Sequence, residues 1–315
     1  MRRGATVLLG VALVAGMLIA LASHRHAFVR AVAGVPVATL LMAAGLHAGS
    51  VVARSEAWAV SVAAAGGTLR RRAAYQVASL SFAANVLSPS LGTALRVWGL
   101  RTVASDQAPP AATLVAAEVP IFAVQLVGTA AMSISLVGPL GAPWWTAPAV
   151  LIGACALFLA LCRFARRSNG PWRGLAALRA SGACARIGGL IAAIAACETA
   201  RNLLVLHAVG LHAGPLDAMA LIVGAGVLGI LPIGPGTSAG AAILIFGAGG
   251  VGPAAAAGVL LTATGFAADL AYAAWGAGDM LWRACPVRRQ RLSRAADIGA
   301  AFCCTGVALA AIALT

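Results

Sequence analysis

The sequence contains very few charged side chains and no lysine. Only 10% of its 315 residues are charged, and the net charge of +14 comes from arginine alone. A soluble domain carries about a quarter charged residues, which help to cover its surface. With so few charges, the chain does not form an ordinary soluble domain and has too little polar sequence for a separate catalytic domain.

Patterns typical of metal sites, nucleic-acid binding and catalysis are also missing. The seven cysteines include no C-x-x-C pair, so we expect no metal site and no bound cofactor. No basic stripe interleaved with aromatic residues predicts nucleic-acid binding. His47, His207 and His212 have no evident acidic or serine partner. No catalytic motif stands out, so we expect no enzyme.

Long apolar runs dominate what remains, since 61% of the residues are hydrophobic and show no alternating period. Lipid requires every backbone polar group to be bonded within the protein, and non-alternating runs favour helices. We therefore predict an all-α, multi-pass integral membrane bundle that forms a single transmembrane domain over residues 1–315. Apolar runs of about 20 residues predict seven spans, near residues 4–22, 32–53, 112–137, 148–163, 187–209, 254–278 and 296–314.

The arginines indicate an orientation in the membrane. They cluster at Arg70–Arg72 and in the joints 163–186 and 283–294, whereas the joints 138–147 and 210–215 contain none. Cytoplasmic loops collect positive charge, so we predict a cell-membrane protein with a cytoplasmic N-terminus. Arg25 and Arg30 fall outside in this arrangement, against the rule. We favour an uncleaved first helix for residues 4–22 over a signal peptide.

Two apolar stretches, 73–111 and 216–250, must begin and end on the same side of the membrane to satisfy this orientation. Proline and glycine interrupt them at Ser88-Pro89-Ser90-Leu91-Gly92 and at Leu231-Pro232-Ile233-Gly234-Pro235-Gly236. Proline breaks a helix and glycine permits a tight reversal. We predict two re-entrant hairpins, each followed by two spans, which together form an inverted repeat. Two ordinary kinked spans are the alternative.

Three acidic residues lie within the predicted spans, where an unpaired charge is costly. Glu198 is three residues before Arg201, which predicts an ion pair on one helix. Glu118 has no local partner, and Arg96 on the first hairpin is a candidate. Asp269 occupies a similar place after the second hairpin. These acids suit a polar cavity for a headgroup or a proton relay, and the alternative is that they only hold helices together.

The two hairpins resemble a known family. The stretch Asn85 to Arg96 resembles the N-x-x-x-P-x-x-G-E-x-x-R signature of the lysylphosphatidylglycerol synthase transmembrane region family. Glu118 falls where that family has a Glu-Arg pair. Residues 232–236 are similar to its P-x-x-P-G-G loop, and the resemblance covers about residues 70–280.

The resemblance implies movement of a lipid or lipid-linked headgroup between leaflets. It implies no aminoacyl-transfer activity, because we expect no room for that domain. The predicted path or gate residues are Asn85, Pro89, Gly92, Arg96, Glu118, Pro232, Pro235, Gly236 and Asp269. Thr93, Val119 and Thr237 depart from the signatures, which indicates either a different substrate or a member that no longer transports.

From these patterns we predict a flippase-like transporter whose partners are membrane lipids. An ion or proton gradient would couple through Glu118 or Asp269. The alternative is a non-transporting membrane subunit that supports an enzyme of cell-envelope lipid or polysaccharide synthesis. An intramembrane enzyme is a weaker third hypothesis, because the sequence shows no catalytic constellation.

Overall fold

The computed structural model describes residues 24–68, 70–87, 89–103, 108–229, 237–247 and 250–283, and no strand occurs among them. Two short 3₁₀ segments, Ser133–Leu136 and Gly170–Leu178, connect neighbouring α-helices. The predicted all-α class is confirmed. The α-helices are α1 (Arg25–Ala33), α2 (Val37–Ala64), α3 (Arg71–Leu87), α4 (Pro89–Val103), α5 (Ala111–Ala116), α6 (Val119–Met132), α7 (Val137–Leu140), α8 (Thr146–Arg167), α9 (Ser181–Ala208), α10 (Pro215–Leu228), α11 (Thr237–Phe246) and α12 (Val251–Arg283).

Five helical segments within these ranges are long and apolar enough to cross a membrane. Each overlaps one predicted span. The predicted spans 4–22 and 296–314 lie outside the described residues, so the total of seven stays a prediction. The five segments are Val37–Ala64, Ala111–Leu140, Thr146–Arg167, Ser181–Ala208 and Val251–Trp282.

Helix α2 extends well beyond the predicted span 32–53. It begins after Pro36 and continues through Arg54 and Glu56 to Ala64. Glu56 remains helical because it has polar partners: the Tyr75 hydroxyl donates to its Oε2 at 2.7 Å, and Arg186 pairs with its Oε1. The extension places Arg54 inside the bundle rather than at its edge.

The segment from Ala111 to Leu140 is broken at Glu118, between α5 and α6. Pro120 has no N–H to donate to the preceding turn, and its ring crowds that turn. The Ser61 hydroxyl on α2 donates to the Ala117 carbonyl at 2.6 Å, which satisfies a backbone acceptor at the break. The break therefore places an acidic residue at a helix end within an apolar segment.

Helices α3 and α4 form an antiparallel pair. Gly92 lies against Asn85 and Ser81, whereas Gly99, further along α4, lies against Val77 earlier in α3. Helix α4 begins at Pro89, within the predicted break. The first predicted hairpin is thus a pair of helices, and its entry and exit on one membrane face stay predictions.

Helices α10 and α11 form the second antiparallel pair. Gly224 lies against Ala241, and Leu228, later in α10, lies against Gly240 earlier in α11. The predicted break at 231–236 lies outside the described residues. Two broken apolar stretches therefore fold as helix pairs, and the inverted repeat that would relate them stays a prediction.

Helix α12 contacts both helix pairs and also packs against α2 and α9. Gly276 approaches α3 so closely that an added Cβ would overlap the Ser79 hydroxyl, and Gly258 approaches the α11 backbone at Ala239 in the same way. Small residues permit such close helix packing. Helices α2, α9 and α12 consequently form the centre of the bundle.

Two of the three arginine-rich joints meet at one end of the bundle, and residues 284–294 of the third lie outside the described residues. Glu56 pairs with Arg71 from one joint and Arg186 from another, and Arg72 donates to Asp279 near the end of α12. At the other end, Gly252 of α12 packs against α1. This grouping is the one that the charge pattern predicts, and the identity of the cytoplasmic end stays a prediction.

Candidate functional site

Arg96 and Glu118 form a buried ion pair. Arg96 Nη1 donates to Glu118 Oε1 at 2.6 Å, and Arg96 Nε donates to the Ser81 hydroxyl at 3.0 Å. The guanidinium lies 5.3 Å from the ring centroid of Trp58 and 5.6 Å from that of Phe82. A cation over aromatic faces is stabilised by the ring quadrupoles. The predicted pairing of Arg96 with Glu118 is confirmed.

The signature residues of the first hairpin support this pair. An added Cβ on Gly92 would overlap Asn85 Oδ1, so the glycine lets the arms of the hairpin approach each other. That approach brings Ser81 of α3 to Arg96 of α4. Asn85 and Gly92 therefore have a packing role beneath the ion pair, and their role in a transport path stays a prediction.

A second group of polar side chains joins α2, α9 and α12, and we call it the His47 network. Its members are His47, Ser50, Glu198, Arg201 and Asp269. His47 Nδ1 lies 2.8 Å from Glu198 Oε1, and the Ser50 hydroxyl donates to the same oxygen at 2.6 Å. Arg201 Nη1 donates to Glu198 Oε2 at 2.7 Å, which confirms the predicted ion pair. The acidic partners of the His47 ring correct the prediction that it has none.

The network is also tied to the backbone of α12. Arg201 Nη2 donates to the Leu261 carbonyl and lies 3.2 Å from the Thr264 hydroxyl. An added Cβ on Gly265 would lie 3.1 Å from Arg201 Nη2 and 3.6 Å from His47 Nε2. The glycine therefore leaves space for both side chains against the helix.

His47 has two incompatible roles in this arrangement, and the presence or absence of a hydrogen on Nδ1 decides between them. Its Nδ1 lies 2.8 Å from a Glu198 oxygen and 3.0 Å from Arg201 Nη1, so it can donate to the first or accept from the second. Its Nε2 lies 3.5 Å from Asp269 Oδ1, a buried oxygen without a hydrogen-bond donor in the described part of the chain. A proton between His47 and Asp269 would supply the missing donor.

Arg54 lies between the ion pair and the His47 network, and the sequence analysis did not identify it. His47, Ser50 and Arg54 recur at spacings of three and four residues, which puts them on one helix face. Sequence analysis could have identified these three residues, because polar residues at that spacing within an apolar run indicate a polar helix face. The predicted span ended at residue 53, and this boundary hid the pattern.

The groove that the structure forms on α4 lies apart from both charged groups. It has a volume of about 890 Å³ and is open to the outside. Thr93 lies here, where the family signature has glutamate. The residues that line the groove are Thr93, Ala94, Val97, Trp98, Arg101, Thr102 and Val115.

Three predicted gate residues, Pro232, Pro235 and Gly236, lie outside the described residues. Within the described ranges, no group of three or more His, Cys, Asp and Glu side chains is arranged to hold a metal ion. The structure does bring Arg96 together with Glu118. It also brings Glu198, Arg201 and Asp269 together around His47. Of these contacts, those that His47 makes with Glu198 and Asp269 join helices that are distant in sequence.

The two groups and Arg54 contain balanced charge. Arg54, Arg96 and Arg201 are cations, and Glu118, Glu198 and Asp269 supply as many carboxylates. With neutral His47 the sum is zero, and a proton on His47 makes it positive. Charges inside an apolar bundle need partners, and in this interior each sign has as many members as the other.

The chain matches no model of a known protein family, and no curated protein is significantly similar to it. The resemblance to the lysylphosphatidylglycerol synthase transmembrane region therefore depends on the hairpin motifs alone and stays a prediction.

Proposed function

We propose that this protein moves a lipid or lipid-linked headgroup between the leaflets of the cell membrane. One observation carries the proposal: seven ionisable side chains lie together among the apolar helices, in the Arg96–Glu118 pair, at Arg54 and in the His47 network. Replacing buried ion pairs with well-packed apolar residues is often neutral or stabilising. Stability alone therefore gives little reason to keep these charges, whereas a path for a polar headgroup needs them.

The helix order supports an inverted repeat around this path. Helices α2 and α9 have 28 residues each, and each is followed by an antiparallel helix pair and then by an apolar segment that carries an acid, Glu118 or Asp269. Transport sites of such repeats lie at the interface of the two halves. The His47 network joins α2 of one proposed half to α9 and α12 of the other, which fits a site between the halves.

In the proposed mechanism, the headgroup crosses the bundle while its acyl chains stay in lipid. The headgroup anion displaces Glu118 from Arg96 as it passes, and the two helix pairs open the path alternately. Glu118 or Asp269 takes up a proton when its positive partner is engaged elsewhere. No bound cofactor is needed for these steps.

The test is transport by purified protein in vesicles that contain fluorescent phosphatidylglycerol, with dithionite added to bleach the outer leaflet. We expect the wild-type protein to expose inner-leaflet lipid. Arg96→Ala and Glu118→Gln should each slow this exposure at least about tenfold, because a hydrogen bond to a charged group contributes about 1.5–3 kcal/mol. Arg101→Ala, on the groove side of the same helix, should transport normally.

Normal transport by both variants would show that the pair is not on the path. If the wild-type protein moves no lipid and instead co-purifies with an envelope enzyme, the non-transporting subunit is the correct reading. The motivation for that second candidate is the loss of signature charges at Thr93, Val119 and Thr237.

A further inference from the structure

Arg54 lies on the buried face of α2. It is one turn after Ser50, one turn before Trp58 and two turns before Ser61, and these three residues are at most 4% exposed. Residues on the opposite face, such as Val52, are exposed to the surroundings of the bundle. Helical periodicity therefore directs the Arg54 side chain into the bundle and not toward lipid.

Arg54 is nevertheless without a close partner. None of the hydrogen bonds or ion pairs formed among the described residues involves its guanidinium. Glu198, Glu118 and Asp269 act on it only through longer-range electrostatic attraction, and Arg96 repels it. Arg96 and Arg201 show the contrast, because each pairs directly with a carboxylate.

The guanidinium of Arg54 also remains accessible. The side chain is half-buried, and its nitrogens are not among the sealed, unpartnered polar atoms of the described chain, which include Arg201 Nε and Asp269 Oδ1. The partial exposure of an unpartnered guanidinium on the inner face of a central helix leaves it space for a ligand group. That space lies between the Arg96–Glu118 pair and the His47 network, because Trp58 contacts Arg96 and His47 belongs to the network.

The chemistry of this space favours a phosphate group. A guanidinium presents planar, fixed donors that match phosphate oxygens in pairs, and such charged hydrogen bonds are among the strongest in proteins. A bound phosphate would give Arg54 the partner that the protein itself does not provide. The nearby carboxylates make a second full negative charge unfavourable, so a singly charged phosphodiester suits the space better than a dianion.

We propose that Arg54 binds the phosphodiester of an anionic lipid headgroup within the bundle. This inference rests on the proposed function and names the substrate class, an anionic glycerophospholipid. Binding is separate from transport, so the two are tested apart.

Isothermal titration of the purified protein in detergent with dihexanoyl phosphatidylglycerol tests the site. Arg54→Gln should weaken binding at least about tenfold, and Arg54→Lys, which keeps the charge, should weaken it less. Arg101→Gln, in the outer groove, should bind as the wild type does. Inorganic phosphate should bind far more weakly if the source of the phosphate is a lipid, and equally well if it is a free anion. Unchanged binding by Arg54→Gln overturns the proposal.

A measurement on the wild-type protein covers the case in which Arg54→Gln does not fold. Phenylglyoxal should modify Arg54, and saturating dihexanoyl phosphatidylglycerol should protect it at least about fivefold, as measured by peptide mass spectrometry. The exposed Arg173 should react equally with and without lipid. Modification of Arg54 that lipid leaves unchanged overturns the proposal. Lipid protection of Arg54 in a protein that transports nothing supports this site and refutes the proposed transport.

Discussion

Arg96 shows what a cation needs in order to lie within apolar helices. It pairs with Glu118, donates to Ser81 and lies over the faces of Trp58 and Phe82. The carboxylate and the hydroxyl accept hydrogen bonds that water would accept outside, and the two aromatic faces stabilise the positive charge. Removing either charge alone leaves the other one buried without compensation, and a penalty of about 3–5 kcal/mol is typical for such a loss.

A double-mutant cycle should reveal this coupling. We expect Arg96→Gln and Glu118→Gln each to lower the thermal stability of the purified protein markedly. The double variant should be much more stable than the sum of the single losses predicts, because no uncompensated charge remains. Unfolding midpoints in one detergent provide the measurement. Additive losses would contradict a direct ion pair.

The sequence predicted the ion pairs that depend on local spacing or on a familiar motif. Glu198 and Arg201 lie one turn apart, and Arg96 and Glu118 flank one hairpin. It did not predict that His47 would contact Glu198, because the two residues are 151 positions apart. Contacts at such separation depend on which helix faces pack together, and residue spacing within a single segment carries no information about that.

At the scale of the helix, glycine decides which helices approach most closely. Gly276 of α12 lies against Ser79 and the Gln76 carbonyl of α3 with no space for a Cβ, whereas Gly278 of the same helix has nothing within 4 Å. Both are helical, so the same substitution has opposite consequences at the two positions. Comparing the two substitutions therefore tests how closely α12 packs against the first helix pair.

Gly276→Ala should lower the stability of the protein by about 1–3 kcal/mol, because overpacking forces the helices apart. Gly278→Ala should be neutral or stabilising by up to about 1 kcal/mol, since alanine favours helix. Unfolding midpoints of the two variants, measured side by side, test this. Equal effects would contradict the close contact of α3 with α12.

Proline positions predicted where the first hairpin breaks, and α4 does begin at Pro89. The predicted end of the span that contains α2, residue 53, came about three turns too early. Arg54 and Glu56 were expected to end the span. Tyr75 and Arg186 from other helices keep Glu56 within the bundle. The length of a helix that carries charges is thus set by partners that lie elsewhere in the sequence.

At the scale of the whole molecule, many charges of the described residues lie either at an arginine-rich end or in the interior, in the Arg96–Glu118 pair, at Arg54 and in the His47 network. Arg71, Arg72 and Arg186 hold four helices (α2, α3, α9 and α12) together at one end through Glu56 and Asp279. The positions of the arginine clusters along the sequence predicted this end. The His47 network could not be predicted as a unit, because it forms only when α2, α9 and α12 pack together.

The central claim is that this interior is a charged, water-accessible path. In a variant without the seven native cysteines, Arg54→Cys tests it through reaction with 2-aminoethyl methanethiosulfonate, which attaches a positive charge. Gly141→Cys, predicted outside, and Arg173→Cys, predicted inside, serve as controls for the side that the reagent reaches. We predict that Cys at this position reacts and that the attached ammonium restores lipid transport, whereas a neutral methyl reagent reacts without restoring it. A thiol that stays inert from both sides, in a protein whose two control positions react, would contradict the account.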